Sequence, residues 1–232
     1  KILSEFNVNK SFELCAIGGG VVQDIVCFLA SIYFRGLSWI FIPTTLEAQG
    51  DSCIGSKSSI NFRGKKNQIG TFYPPKKILI DKIFLNTLKK DLILSGLGEM
   101  LHYFAFSKKN FLFYKKNYLK AQKNCNVLKK LISKSLKIKK EFIEIDEFDT
   151  KQRKLLNFGH TFAHAIEAYT KYQIPHGIAV AHGIDIANFI SLKKKIIKKD
   201  QYKDYKDVIK NLTRNYPLNK INIRKFIEII KS

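Results

Sequence analysis

A short apolar run ends on three consecutive glycines, and no other junction in the chain narrows the fold as much. Leu14-Cys15-Ala16-Ile17 reads as a buried strand, Gly18-Gly19-Gly20 as a tight turn, and residues 21–33 as a helix that starts at the turn. Trp39-Ile40-Phe41-Ile42-Pro43 reads as a second buried strand, and Lys77-Ile78-Leu79-Ile80-Asp81 as a third. Strand, helix and strand in succession predict a parallel sheet joined by crossover helices. Residues 14–34 are the most apolar part of the chain, yet Gln23, Asp24 and the glycines interrupt them, which favours strand, turn and helix over a membrane span.

Backbone without Cβ can approach a phosphate, and free N–H groups at a helix start attract an anion. The glycine turn therefore suits a nucleotide, although it lacks the GxGxxG spacing and a purely structural turn is an equal alternative. In a nucleotide fold such a turn follows the first strand, and only a charged stretch precedes this one. The initial strands, with the acid for the adenosine ribose, are expected to lie outside this sequence.

From about residue 91 the apolar residues recur at helical spacing, through 96–106, 111–121, 127–145, 158–169 and 178–192, so the second part reads as all-helical. The 232 residues are 45% hydrophobic, enough for a sizeable core. The formal charge of +22 is uneven: residues 1–100 hold 12 Lys/Arg against 8 Asp/Glu, and the rest hold 29 against 11. No nucleic-acid motif accompanies the excess, so the lysines of 108–140 read as a solvated outer layer, and neither nucleic acid nor membrane is expected as a partner. Cys15, Cys27, Cys53 and Cys125 form no CxxC pair and no secretory signal opens the chain, which points to a reducing, cytoplasmic setting.

Imidazoles and a carboxylate carry the candidate chemistry. Glu99 stands in Ser95-Gly96-Leu97-Gly98-Glu99, His160 and His164 in a run from Asn157 to Glu167, and His176 in Pro175-His176-Gly177. Such groups bind a divalent ion, and three of them leave a coordination position open for substrate. His160 and His164 share a helix face, but Thr161 stands where HExxH has its glutamate, so one histidine reads as a ligand and the other as a proton carrier. The bland alternative is a polar histidine cluster. His102 lies three residues past Glu99 on the same helix, facing the same side, and His182 reads as structural. The loops 51–57 and 64–70, rich in glycine, lysine and amide, suit phosphate or carboxylate, or are ordinary surface loops.

Together these pieces resemble the 3-dehydroquinate synthases, within the wider group of sugar phosphate cyclases. The matching stretches are 16–24, Tyr33-Phe34-Arg35-Gly36, Pro43-Thr44-Thr45-Leu46, 51–57, Lys66-Asn67-Gln68-Ile69-Gly70, Gly96-Leu97-Gly98-Glu99, 155–167 and His176-Gly177, in matching order and spacing. The resemblance implies a partial Rossmann-like NAD-binding domain over 1–90, followed by a helical metal- and substrate-binding domain over 91–232. It implies a homodimer with the active site in the cleft. Glu99, His160 and His176 would hold the divalent metal, zinc or alternatively cobalt. Gly19, Gly20, Asp24, Thr44, Thr45, Asp51 and Lys66 would contact NAD. Lys57, Asn67, Lys139, Arg153, Asn157 and His164 would line the site of a phosphorylated sugar acid, and Arg35 would reach the neighbouring subunit's site.

The implied reaction converts 3-deoxy-D-arabino-heptulosonate 7-phosphate to 3-dehydroquinate and phosphate, in the shikimate route to aromatic amino acids. Two residues depart from the family pattern: His102 stands in place of a lysine, and Ile178 in place of a glutamate after His-Gly. A late substrate-binding lysine is expected beyond the end of the sequence. The rival readings are a paralogous cyclase with another sugar phosphate, a metal-dependent polyol dehydrogenase, and a basic nucleic-acid-binding domain whose affinity would fall steeply with salt.

Overall fold

The structure is a computed structural model that describes residues 2–63, 65–218 and 221–231, with the side chains of Ile2, Ser4, Lys65 and Lys66 outside the description. The chain folds as two units, Lys1–Thr87 and Leu88–Ser232.

In the first unit one helical turn, α1 (Ile2–Glu5), precedes strand β1 (Glu13–Gly18), and the chain turns at Gly19 into helix α2 (Gly20–Ile32). Strand β2 (Ser38–Pro43) returns parallel to β1, with Leu14 opposite Trp39 and Ile17 opposite Ile42. Strands β3 (Ile60–Phe62) and β4 (Lys65–Ile69) form an antiparallel hairpin. Strand β5 (Lys77–Ile78) then pairs parallel with β2, giving the order β1-β2-β5. Side chains alternate across a strand, so Trp39 and Phe41 enter a core with Ala16, Cys27, Ala30 and Leu46.

Three expectations for this unit change. Strand β1 is not buried on both faces: Ala16 is buried, whereas Cys15 and Ile17 (57% exposed) point to the opposite face, which is the less buried face of β2 as well. The third strand ends at Ile78 instead of Asp81. Leu79 N–H still bonds the Phe41 carbonyl (2.9 Å), but Asp81 turns its carboxylate to the N–H of Ile83 (2.9 Å) and starts a 3-10 turn, Lys82–Thr87. Residues 65–69 are not loop. Their polarity hides a strand whose pairing is satisfied by backbone, and its described side chains, Asn67 to Ile69, are exposed.

The second unit is helical: α3 (Lys90–Phe104), α4 (Lys108–Ala121), α5 (Cys125–Ile145), a 3-10 turn Gln152–Asn157, α6 (His160–Tyr169), α7 (His176–Lys193), α8 (Lys199–Thr213) and α9 (Ile223–Lys231). Ser107 caps α4 by accepting from Asn110 N–H (3.2 Å), and Asn124 caps α5 by accepting from the N–H groups of Asn126 and Val127 (3.0 and 3.2 Å). Residues 94–104 of α3 and 177–184 of α7 are buried without interruption, so these helices have no solvent face there and form the centre of the unit.

Glycine sets how closely they pack. A Cβ at Gly98 would strike the Gly177 carbonyl, and one at Gly177 would strike the Ser95 carbonyl. Gly183 meets the Gly159 carbonyl in the same way where α7 passes α6. We expect Gly177→Ala to destabilise the protein by about 1–3 kcal/mol, because the obstacle is backbone and cannot rotate aside. Gly20→Ala, which meets nothing within 4 Å, should change stability by less than about 0.5 kcal/mol. Urea unfolding of the two variants side by side measures the contrast.

Candidate metal centre

Glu99 lies on the buried stretch of α3 and is 2% exposed. His160 is the first residue of α6, released by Gly159 at φ 87°, and His176 is the first residue of α7, after Pro175. These helix starts bring two imidazoles to one carboxylate. His160 Nε2 is 3.3 Å from Glu99 Oε1, and His176 Nε2 is 3.5 Å from Glu99 Oε2. His102, 1% exposed, donates from Nδ1 to the Glu99 carbonyl (2.6 Å) and stands 3.7 Å from Glu99 Oε1. His164 follows one turn after His160, its ring centroid 5.8 Å from that of His160 and 6.0 Å from that of His176.

Burial by itself pushes the Glu99 carboxyl up, but the charges of His160, His176 and His102 outweigh it and hold the group well below the usual carboxylate range. Glu99 Oε2 and His160 Nδ1 are nevertheless buried without a hydrogen-bond partner among the described residues. An orphaned buried charge-bearing oxygen costs at least about 1–3 kcal/mol. A divalent cation among these donors would remove that cost, and mixed nitrogen and oxygen ligands suit zinc. The residues present therefore fit a metal.

Two donor triples lie within 4.8 Å: Glu99, His102 and His160, and separately His164, Glu167 and His176. Glu167 is a residue that sequence reasoning passes over. It is 5% exposed, and its Oε1 accepts from His176 Nδ1 at 3.1 Å. Its only sequence signal is the helical spacing that puts it seven residues after His160, on the same face. His182 is structural: burial lowers its pKa, and its Nε2 bonds the Tyr216 carbonyl (2.8 Å).

The cationic candidates of this unit are held by local structure. Arg153 and Lys139 are buried, 4% and 7% exposed, while Asn157 ends its 3-10 turn exposed. Asp146 organises the turn between α5 and Arg153. It accepts from the N–H groups of Thr150 (2.9 Å), Lys151 (2.6 Å) and Arg153 (3.0 Å), and Arg153 Nη1 donates to the Glu147 carbonyl.

In the first unit the glycine turn meets two threonines. Thr44 N–H donates to the Gly18 carbonyl (2.9 Å), and a methyl group at Gly19 would stand 2.8 Å from Thr45 Cγ2. Thr45 Oγ1 accepts from Ala48 N–H (3.2 Å) and opens the π-type turn Ala48–Ser52, which carries Asp51. Asp24 accepts from Ser59 N–H (3.0 Å), and burial pushes its carboxyl up. Gln23 and Gln49, which sequence reasoning also misses, fix the same turn: Gln23 Nε2 donates to the Ser52 carbonyl (2.6 Å), and Gln49 Nε2 to the carbonyls of Pro43 (3.0 Å) and Asp81 (2.7 Å). Lys57 and Asn67 are exposed, with Lys57 Nζ 5.9 Å from the Phe72 ring centroid and Asn67 at φ 56°. Arg35 is exposed past the far end of α2, about 20 Å along that helix from Gly20. The Lys66 side chain lies outside the described residues.

The family described as 3-dehydroquinate synthase C-terminal matches residues 96–232, the part that holds all four clustered histidines, and 3-dehydroquinate synthase N-terminal matches residues 1–95. The chain belongs to the 3-dehydroquinate synthase family. A 3-dehydroquinate synthase of Helicobacter pylori is 37% identical over 97% of the chain, and one of Campylobacter concisus is 41% identical over 90%. The chain spans 64% and 61% of their respective lengths. Among solved structures, 2-epi-5-epi-valiolone synthase from Streptomyces hygroscopicus, with NAD+ and Zn2+ bound, superposes with a TM-score of 0.90 at 24% identity, over 99% of this chain and 65% of that one. The fold is thus that of the sugar phosphate cyclases, a partial Rossmann-like part and a helical part, as the sequence predicts. No described helix is long and apolar enough to cross a membrane.

Asp146 ties site geometry to pH. Burial by itself raises its pKa, but the N–H groups of Thr150, Lys151 and Arg153 bring it from the ordinary 3.8 down to about 2. A lowered folded-state pKa means that this stabilisation is fully present above about pH 4 and is lost as pH falls toward 2. Asp146→Asn should lower the melting temperature at pH 7 and flatten its decline across that window. Thermal unfolding followed from pH 7 to pH 2 checks it.

Proposed function

We propose that the protein is a 3-dehydroquinate synthase, converting 3-deoxy-D-arabino-heptulosonate 7-phosphate to 3-dehydroquinate and phosphate with NAD and a divalent metal. The observation that carries this reading is the convergence of Glu99, His160 and His176, from three helices, with a buried carboxylate oxygen left without a hydrogen bond among the described residues. The relatives in Helicobacter pylori and Campylobacter concisus carry that name.

Glu99, His160 and His176 would hold the metal, zinc or cobalt. When bound, the metal and NAD supply polarisation of a substrate hydroxyl and a reversible hydride acceptor. The rest falls to the chain. Arg153 and Lys139 are cations suited to the substrate's phosphate and carboxylate, and a fixed cation holds the conformer in which they leave or stay. His164, whose ring lies near those of His160 and His176, would carry a proton. Asn157 offers an amide to a substrate hydroxyl. In the first unit, the turn at Gly19 and Gly20, with Thr44, Thr45, Asp24 and Asp51, would take NAD, while Lys57 and Asn67 would contact substrate. Lys66 would join the cofactor set, and Arg35 would serve a neighbouring subunit in a homodimer. The protein would work in the cytoplasm, within the shikimate route. Buried Arg153 and Lys139 favour a phosphorylated acid over the neutral substrate of a polyol dehydrogenase.

Phosphate release from the heptulosonate phosphate should require added zinc or cobalt and stop with a chelator. Glu99→Gln and His160→Ala should each lose at least about a hundredfold in kcat/KM, or about 2.7 kcal/mol, with folding retained. Faster release from sedoheptulose 7-phosphate than from the heptulosonate would contradict the substrate assignment.

A further inference from the structure

We propose that Glu167 is the positioning residue that aims His176 at the metal. This rests on the metal site proposed above.

The imidazole of His176 lies between two carboxylates. Its Nδ1 is 3.1 Å from Glu167 Oε1, and its Nε2 is 3.5 Å from Glu99 Oε2. A ring at the first residue of a helix, 27% exposed at its side chain, can turn about its Cβ–Cγ bond unless something holds one nitrogen. Glu167 does this from α6, on the face that carries His160 and His164. A carboxylate accepts and does not donate, so the shared proton sits on Nδ1. When a metal takes the place of any proton on Nε2, the neutral ring keeps its proton on Nδ1 and directs the Nε2 lone pair at the Glu99 side, the tautomer a metal ligand needs.

The residue after His176-Gly177 could not do the same. Ile178 is fully buried and apolar. The carboxylate therefore comes from a different helix, close in space and far in sequence.

His164, Glu167 and His176 also form a donor triple of their own, so Glu167 has a competing reading as a metal ligand on the Nδ1 side. The geometry favours positioning. The carboxylate oxygen without a hydrogen-bond partner among the described residues is on the Glu99 side, whereas Glu167 already accepts a hydrogen bond.

The test measures zinc affinity by competition with a chromophoric chelator, together with ¹⁵N NMR of the histidine rings in the zinc-loaded protein. Glu167→Ala should weaken zinc 10–100-fold, on the order seen for partners of metal-bound histidines. Glu167→Gln, whose amide oxygen still accepts from Nδ1, should recover most of that loss. The His176 ring should carry its proton on Nδ1 and metal on Nε2. Wild-type affinity in Glu167→Ala, or metal on Nδ1, overturns the positioning role and leaves the metal site standing. Absence of zinc binding by the wild-type protein overturns both. Should Glu167→Ala fail to fold, Glu167→Gln and the wild-type ring assignment decide the matter.

Discussion

At the crossing of α3 and α7 the two backbones touch, with Gly98 against the Gly177 carbonyl and Gly177 against the Ser95 carbonyl. Side chains on both helices would hold them several ångströms further apart. The neighbours of these glycines in sequence are Glu99 and His176. The approach that brings the backbones together therefore also brings the carboxylate within 3.5 Å of the imidazole. Gly159 and Gly183 do the same for α6 and α7, and His160 is the residue after Gly159. Packing and chemistry are thus set by the same few positions, and a substitution that loosens the helices also opens the site.

Electrostatics works against packing here. A carboxylate at 2% exposure is expensive; the charges of three histidines outweigh that cost, yet Glu99 Oε2 is left without a hydrogen-bond partner among the described residues. The carboxylate sits on the stretch of α3 that has no solvent face, with the two imidazoles at helix starts beside it. Such a cost in the core is reasonable only where a ligand removes it, which is the physical basis for assigning a cation to this spot. The carboxylate of Glu167 extends the arrangement by one shell, from metal donor to the group behind it.

Much of this is legible in the sequence because polar residues stand out in apolar helices. Glu99 sits in a run of glycine and leucine, and His160 and His176 each adjoin a glycine that marks a helix start or a close contact. The α/β-then-helical order is legible from the change in hydrophobic period near residue 91. What is not legible depends on partners far along the chain. Glu167 looks like any helix-surface acid until His176 is seen beside it. Gln23 and Gln49 look like solvent-facing amides until they are found bonding carbonyls 29 and 32 residues away. The hairpin at 60–69 has no alternating apolar pattern in sequence, and the exposure of Ile17 depends on what packs on its face of the sheet.

The direct measurement of the central claim is zinc anomalous diffraction from crystals of the protein. A single strong peak about 2.0–2.2 Å from a Glu99 oxygen and one nitrogen each of His160 and His176 is the predicted result. A peak bound by His164 and Glu167 without Glu99, or none at full zinc loading, would contradict it.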